Sequence, residues 1–176
     1  MPKKGSTSNY YVVQLFTDGA CKNNPGPGGW AFILRDPATG RQIKRSGSEV
    51  RTTNNRMELM AVIRGLEALR RPCHVVLYTD STYVGRGLTE WLPKWKARNW
   101  ISSSTGLTRT IKNLDLWKRL DQLLKQHQLE YVPVRGHSGH PENEECDRMA
   151  VAAIRQVVGE DSRARRSSQD QPRRRS

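Results

Sequence analysis

Asp18, Glu58, Asp80 and Asp147 are the side chains of this sequence whose type and setting could do chemistry. Asp18 follows the aromatic and β-branched run Tyr10-Tyr11-Val12-Val13-Gln14-Leu15-Phe16-Thr17, and Asp80 follows Val75-Val76-Leu77-Tyr78-Thr79. Both are therefore expected at strand ends, where open α/β sheets build their sites. Glu58 precedes Val62 by four residues and Leu69 by eleven, which sets it on or beside the inward stripe of a helix. Asp147 stands three, four and seven residues before Ala150, Val151 and Ile154 and is expected to point inward from the last helix. Acids so placed must be paired, protonated or metal-bound, because an uncompensated buried charge is costly. Four hard oxygen ligands suit Mg²⁺ or Mn²⁺, and a pair of such ions can clamp the attacking and leaving oxygens of a phosphodiester. Each acid also has a local reading. Asp18-Gly19 and Asp80-Ser81 are turn formers, Glu58 follows Asn55 in capping-box spacing, and Asp147 suits a first helical turn. Those readings give no reason for all four to face one edge.

The acids sit in a basic chain. Lys and Arg number 30 against 17 Asp and Glu, a net charge of +13 over 176 residues, which points to a polyanionic partner. No apolar run is long enough to span a bilayer and residues 1–9 are polar, so a cytoplasmic protein without membrane contact is expected. Three cysteines, Cys21, Cys73 and Cys146, cannot form a disulfide framework, in keeping with a reducing compartment.

The elements that must position the acids follow from periodicity and turns. Residues 10–17 and 30–34 read as strands and 41–50 as one or two further antiparallel stretches, together a meander broken at Asn24-Pro25-Gly26-Pro27-Gly28-Gly29 and at Asp36-Pro37-Ala38-Thr39-Gly40. Leu59, Val62, Ile63, Leu66 and Leu69 then recur at helical spacing, with Thr53 or Asn55 as N-cap and Pro72 as the stop. A strand at 75–79 and a brief helix at 82–88, loosened by Gly85 and Gly87, come next. A helix carrying Leu114, Trp117, Leu120 and Leu124, a strand at 129–134 and a helix at 143–158 complete an α/β pattern whose crossovers predict a mixed sheet with helices on its faces. Residues 94–119 hold seven Lys or Arg and one acid. Residues 159–176 hold six Arg and three acids with nothing apolar to bury, and are expected to be a disordered basic tail.

Several motifs now combine. Thr17-Asp18-Gly19-Ala20-Cys21, Asn24-Pro25-Gly26-Pro27-Gly28-Gly29, Thr53-Asn54-Asn55-Arg56-Met57-Glu58-Leu59, Thr79-Asp80-Ser81, Gly136-His137-Ser138-Gly139-His140-Pro141-Glu142-Asn143-Glu144 and Cys146-Asp147 closely resemble the bacterial type 1 ribonuclease H family, in order and over most of the chain. The resemblance implies a ribonuclease H-like fold, a five-stranded mixed sheet of order 3-2-1-4-5 with helices on both faces. It implies a metal-dependent endonuclease that hydrolyses the RNA strand of RNA-DNA hybrids and leaves 5′-phosphate and 3′-hydroxyl ends. Asp18, Glu58, Asp80 and Asp147 match the family's metal-binding carboxylates, for two Mg²⁺ ions with Mn²⁺ as a substitute. His137 matches a mobile histidine that shuttles a proton or assists product release.

Telling RNA from DNA requires groups that reach 2′-hydroxyls across a wide minor groove. The resemblance gives that work to Asn24, Asn54, Asn55 and the main chain at Cys21, and the DNA phosphate to Thr53 and Asn113. Thr82 stands where the family often has a longer amide. A basic projection at about 91–113, with Trp91, Lys94, Trp95, Lys96 and Arg98, is expected to hold the DNA strand, with at least one tryptophan in the core. The domain is expected at 10–158 behind a flexible 1–9, as a monomer with no obligate protein partner. Zinc at His137, His140 and Cys146 is disfavoured, since H-x₂-H-x₅-C matches no common finger. A DNA nuclease should lack the three asparagines, and a non-catalytic binding module would not keep four acids that repel the backbone it binds.

Overall fold

The computed structural model describes residues 10–101, 106, 111–135 and 139–169. The expectations for 1–9, for His137 and for most of 102–110 lie outside the described residues.

β1 (Tyr11–Cys21), β2 (Gly26–Arg35) and β3 (Gln42–Thr52) form the meander. α1 (Asn54–Glu67) then crosses to β4 (Cys73–Thr79), which runs parallel to β1, and β5 (Gln128–Pro133) runs parallel to β4. The strand order is β3-β2-β1-β4-β5, as the resemblance implied. Side chains alternate across this sheet and split the core in two. Val13, Leu15, Trp30, Phe32 and Leu77 pack on one side against Leu59, Ile63 and Leu66 of α1 and Trp117 of α4 (Leu114–Leu124). Phe16, Ala31 and Ile33 pack on the other against Cys146 and Ala150 of α5 (Pro141–Gln169). Each large apolar side chain so enclosed contributes about 1.5–3 kcal/mol relative to exposure.

α1 starts at Thr53, whose hydroxyl accepts a hydrogen bond from Arg56 N at 3.3 Å. α5 is tied to the meander by ion pairs from Arg35 to Glu142 at 3.1 Å and from Lys44 to Glu145 at 2.7 Å.

Two expectations need correction. Instead of one brief helix, α2 (Thr82–Arg86), a π-helical turn (Gly87–Trp91) and α3 (Leu92–Ala97) run head to tail as one rod. Gly85 and Gly87 serve contact, not looseness. A Cβ on Gly87 would lie 2.0 Å from the Trp117 ring, and one on Gly85 would lie 2.3 Å from the Tyr131 hydroxyl. The tail is also not disordered from 159, because α5 continues to Gln169. Extending an existing helix avoids the cost of nucleation, and Arg and Ala are good helix formers, so no apolar face is needed.

The projection is stapled by its aromatics. Trp117 is fully buried, the Trp95 ring meets it edge-on at 5.7 Å, and Trp91 and Trp100 each lie 6.2 Å from Trp95. Lys96 Nζ lies 3.0 Å from Oδ1 of Asp121, a carboxylate only 6% exposed, so its charge is used inside the protein. Lys94 and Arg98 are exposed. Among the described residues no helix is long and apolar enough to cross a membrane. All three cysteines are free thiols.

Lys96→Met strands the Asp121 carboxylate, so it should cost about 1–3 kcal/mol, below the usual loss for a fully buried pair because Lys96 is half-exposed. Lys94→Met should change stability by less than about 0.5 kcal/mol. Urea unfolding of the two variants checks this, and equal effects would contradict the assignment of Lys96 to the body of the protein.

Candidate active site

β1 outruns its parallel neighbour. The ladder between them ends at Phe16 and Tyr78, and Asp80 follows β4 directly, so Asp18 and Asp80 stand two steps beyond it on adjacent chains. Asp18 is not at the strand terminus but three residues before it, still opposite Ala31 of β2, and Gly19 N donates to its Oδ1 at 2.9 Å. Gly19 also sets the third acid. A Cβ there would lie 2.4 Å from Glu58 N and 2.5 Å from Met57 C, so only glycine lets the first turns of α1 rest on the strand at this point. Carboxylate oxygens of Asp18, Glu58 and Asp80 consequently all lie within 4.8 Å of one another. Asp147 lines the same cleft, of about 430 Å³, with His140, Asn143, Glu144 and Arg148. It does not point into the core, as its spacing suggested. It is exposed on the cleft wall, while Cys146 beside it is fully buried.

The cluster is charged against itself. Burial first, and then the charges of Asp80 and Asp147, push the Asp18 carboxyl up to about 7, against the lowering hydrogen bonds from Glu58 and Gly19. Glu58 is raised well above the ordinary carboxylate range by burial, then by Asp18 and Asp80. Its Oε2 is enclosed and has no hydrogen-bond partner. A buried carboxylate oxygen with no donor, beside two more hard oxygen ligands, fits a divalent cation. Two oxygens bound to one Mg²⁺ stand up to about 4.2 Å apart, close to the spacing found here. The Cys146 thiol instead donates to Phe16 O inside the protein at 3.4 Å, and burial raises its pKa, which removes the zinc reading.

Around the acids the structure brings most of the expected contacts together. Asn24 Oδ1 accepts from Asn54 N at 3.1 Å, joining the β1–β2 turn to the start of α1, with Asn55 exposed beside it and Cys21 half-buried. Thr53 and Asn113 meet through Arg56, whose N donates to Thr53 Oγ1 and whose Nη1 donates to Asn113 Oδ1 at 3.3 Å. Asn113 Nδ2 donates to the Tyr83 hydroxyl at 2.9 Å, and Trp117 Nε1 donates to the same oxygen at 3.0 Å. Thr82 is exposed at the start of α2. Trp91 and Trp95 are held in the aromatic stack, so in this structure they position the projection rather than offer free rings.

Sequence reasoning missed Asn143. Its Nδ2 donates to Tyr78 O at 3.0 Å and Thr17 O at 3.4 Å, binding the first turn of α5 to both central strands next to the acids. The available signal was an amide four residues before Asp147, in a turn with apolar strands to reach. Arg56 was missed likewise because a helical arginine reads as surface.

The RNase H family model matches residues 11–155. Ribonuclease H of Rhodopirellula baltica is 56% identical over 146 residues, which cover 83% of this chain and 92% of that protein. Ribonuclease H of Escherichia coli O139:H28 is 52% identical over 150 residues, 85% of this chain and 94% of that protein. Among solved structures, LC9-RNase H1, a type 1 enzyme, superposes with a TM-score of 0.71 at 34% identity, covering 84% of this chain and 74% of that one.

A raised carboxyl pKa in the folded state means that stability is lost as pH rises from the unfolded value, near 4, to the folded one, near 7. In metal-free protein Asp18→Asn should therefore be more stable than wild type by a margin that grows from pH 4.5 to 7, then levels at about 2–4 kcal/mol. Denaturant unfolding in a chelator across that range checks it. A margin that is absent, or largest at low pH, would contradict the assigned electrostatics.

Proposed function

The chain belongs to the type 1 ribonuclease H family and is an endoribonuclease, and from that premise we propose that it hydrolyses the RNA strand of RNA-DNA hybrids with a divalent cation, leaving 5′-phosphate and 3′-hydroxyl ends. The observation that carries the metal dependence is the trio Asp18, Glu58 and Asp80 within 4.8 Å, with Glu58 Oε2 enclosed and unpartnered. These three, with Asp147 on the cleft wall, would hold the cation, Mg²⁺ or in its place Mn²⁺. When bound, such an ion supplies an activated water and charge stabilisation at the phosphodiester.

The chain's own residues do the rest. Loss of the protons that burial and neighbouring carboxylates favour on Asp18 and Glu58 readies both to act as oxygen ligands beside Asp80. Asn24 and Asn54, already linked, and Asn55 would face the minor groove, where 2′-hydroxyls distinguish RNA. Thr53 and Asn113, drawn together by Arg56, would receive a phosphate of the DNA strand, and Lys94 and Arg98 would follow its backbone. Lys96 is withdrawn from that set by its pairing with Asp121. His137, ten residues before Asp147, would serve proton transfer or product release.

Incubation with an RNA-DNA hybrid, duplex RNA, duplex DNA and single-stranded RNA tests the reading. Cleavage should be confined to the hybrid, require Mg²⁺, and fall by at least about 1,000-fold in Asp18→Asn while hybrid binding without metal persists. Activity without divalent metal, or equal cleavage of duplex DNA, would contradict it.

A further inference from the structure

The segment past residue 155 lies outside the family match, yet α5 carries it as helix to Gln169. Its last half-buried side chains among the described residues are Val157 and Val158, and residues 162–167 are all exposed. What it carries is charge in a fixed direction. Arg148, Arg155 and Arg166 are spaced seven and eleven residues apart. At about 100° per residue, Arg155 returns to within about 20° of Arg148 and Arg166 returns to the same direction, with Arg163 about 60° to one side. Glu160 is about 120° away from this line. All four arginines are exposed, and none is in an ion pair among the described residues.

The line also has a beginning. Arg148 lines the cleft that holds the four acids, and Arg155 lines a neighbouring recess with Cys21 and Lys22, at the turn that carries Asn24. The exposed stripe thus starts where the substrate is cut, passes the turn expected at the minor groove, and continues beyond the family's fold. Resting on the hybrid-cleaving reading above, we propose that α5 beyond residue 155 is a rigid arginine rail that holds the phosphate backbone of the duplex leaving the acidic cleft. Continuity with the cleft favours nucleic acid over another anionic surface, and a helix presents the cations already ordered, where a disordered tail would contact phosphates only transiently.

Reach makes the idea testable. From Asp147 to Arg166 the helix advances about 28 Å, the span of roughly eight phosphate steps. A hybrid ending within that distance of the cleavage point cannot touch Arg163 or Arg166. Fluorescence anisotropy on the full chain, with Ca²⁺ replacing Mg²⁺ and over a salt series, would compare hybrids of 8 and 24 base pairs. For Arg163→Gln/Arg166→Gln the ratio of long- to short-hybrid affinity should fall about 3- to 10-fold at low salt, and the salt slope on the long hybrid by up to about two units. Gly159→Pro, which keeps every arginine but breaks the rail's direction, should lower the same ratio, with circular dichroism confirming that the domain remains folded. An unchanged ratio in the double variant, an equal loss on both lengths, or full retention by Gly159→Pro would overturn the proposal. So would loss of binding to anionic lipid vesicles with long-hybrid affinity intact. Wild-type cleavage of the 24-base-pair hybrid in Mg²⁺ is run alongside; its absence would instead sink the hybrid-cleaving reading itself.

Discussion

Three carboxylates held within 4.8 Å of one another, Asp18 and Glu58 nearly buried and Asp80 exposed, repel each other where burial weakens the screening of the first two. Everything near them can be understood as the means of keeping that arrangement. Gly19 has no side chain, and so α1 can settle on β1 and deliver Glu58. Asn143 laces α5 to the carbonyls of Thr17 in β1 and Tyr78 near the end of β4. Two apolar layers, one on each side of the sheet, supply the stabilisation that offsets the cost. Without cation that repulsion, added to burial, raises the pKa values of Asp18 and Glu58 and so favours their protonated forms. A site that is unstable when empty of positive charge is one that binds positive charge.

Cationic side chains, abundant throughout, have diverged in use according to what faces them. Lys96 neutralises Asp121 and fastens the projection to α4. Arg56 is paired bidentately with Asp115, at 2.9 and 2.8 Å, and gathers Thr53 and Asn113. Lys94 and Arg98 remain turned to solvent on a projection made stiff by stacked tryptophans. A net charge of +13 says only that a polyanion is near; the ion pairs say which cations are free to meet it.

The fold was legible wherever burial writes a period into the sequence. The meander, the helical spacing of Leu59, Val62, Ile63 and Leu66, and the strand ending at Asp80 were readable because side-chain alternation and turn residues are local signals, whereas β1 runs three residues past Asp18 because it pairs with β2 as far as Cys21. Asp147 was misjudged because spacing gives a helix face but not how far the helix overhangs the sheet, and here the overhang opens onto the cleft. Gly85 and Gly87 read as weak helix, whereas their reason, the ring of Trp117 and the hydroxyl of Tyr131, lies dozens of residues away. The helical continuation past 159 left no apolar pattern at all. Its helicity rests on propagation from a helix packed elsewhere, which composition does not record.

The central claim is that the acids of the cleft hold protons which a divalent cation displaces. Titrating Mg²⁺ into metal-free protein at pH 6.5, by calorimetry in buffers of different ionisation enthalpy, counts those protons directly. Release of about one proton or more per site filled is expected, falling markedly in Glu58→Gln. Binding with no proton release, or release that Glu58→Gln leaves unchanged, would contradict it.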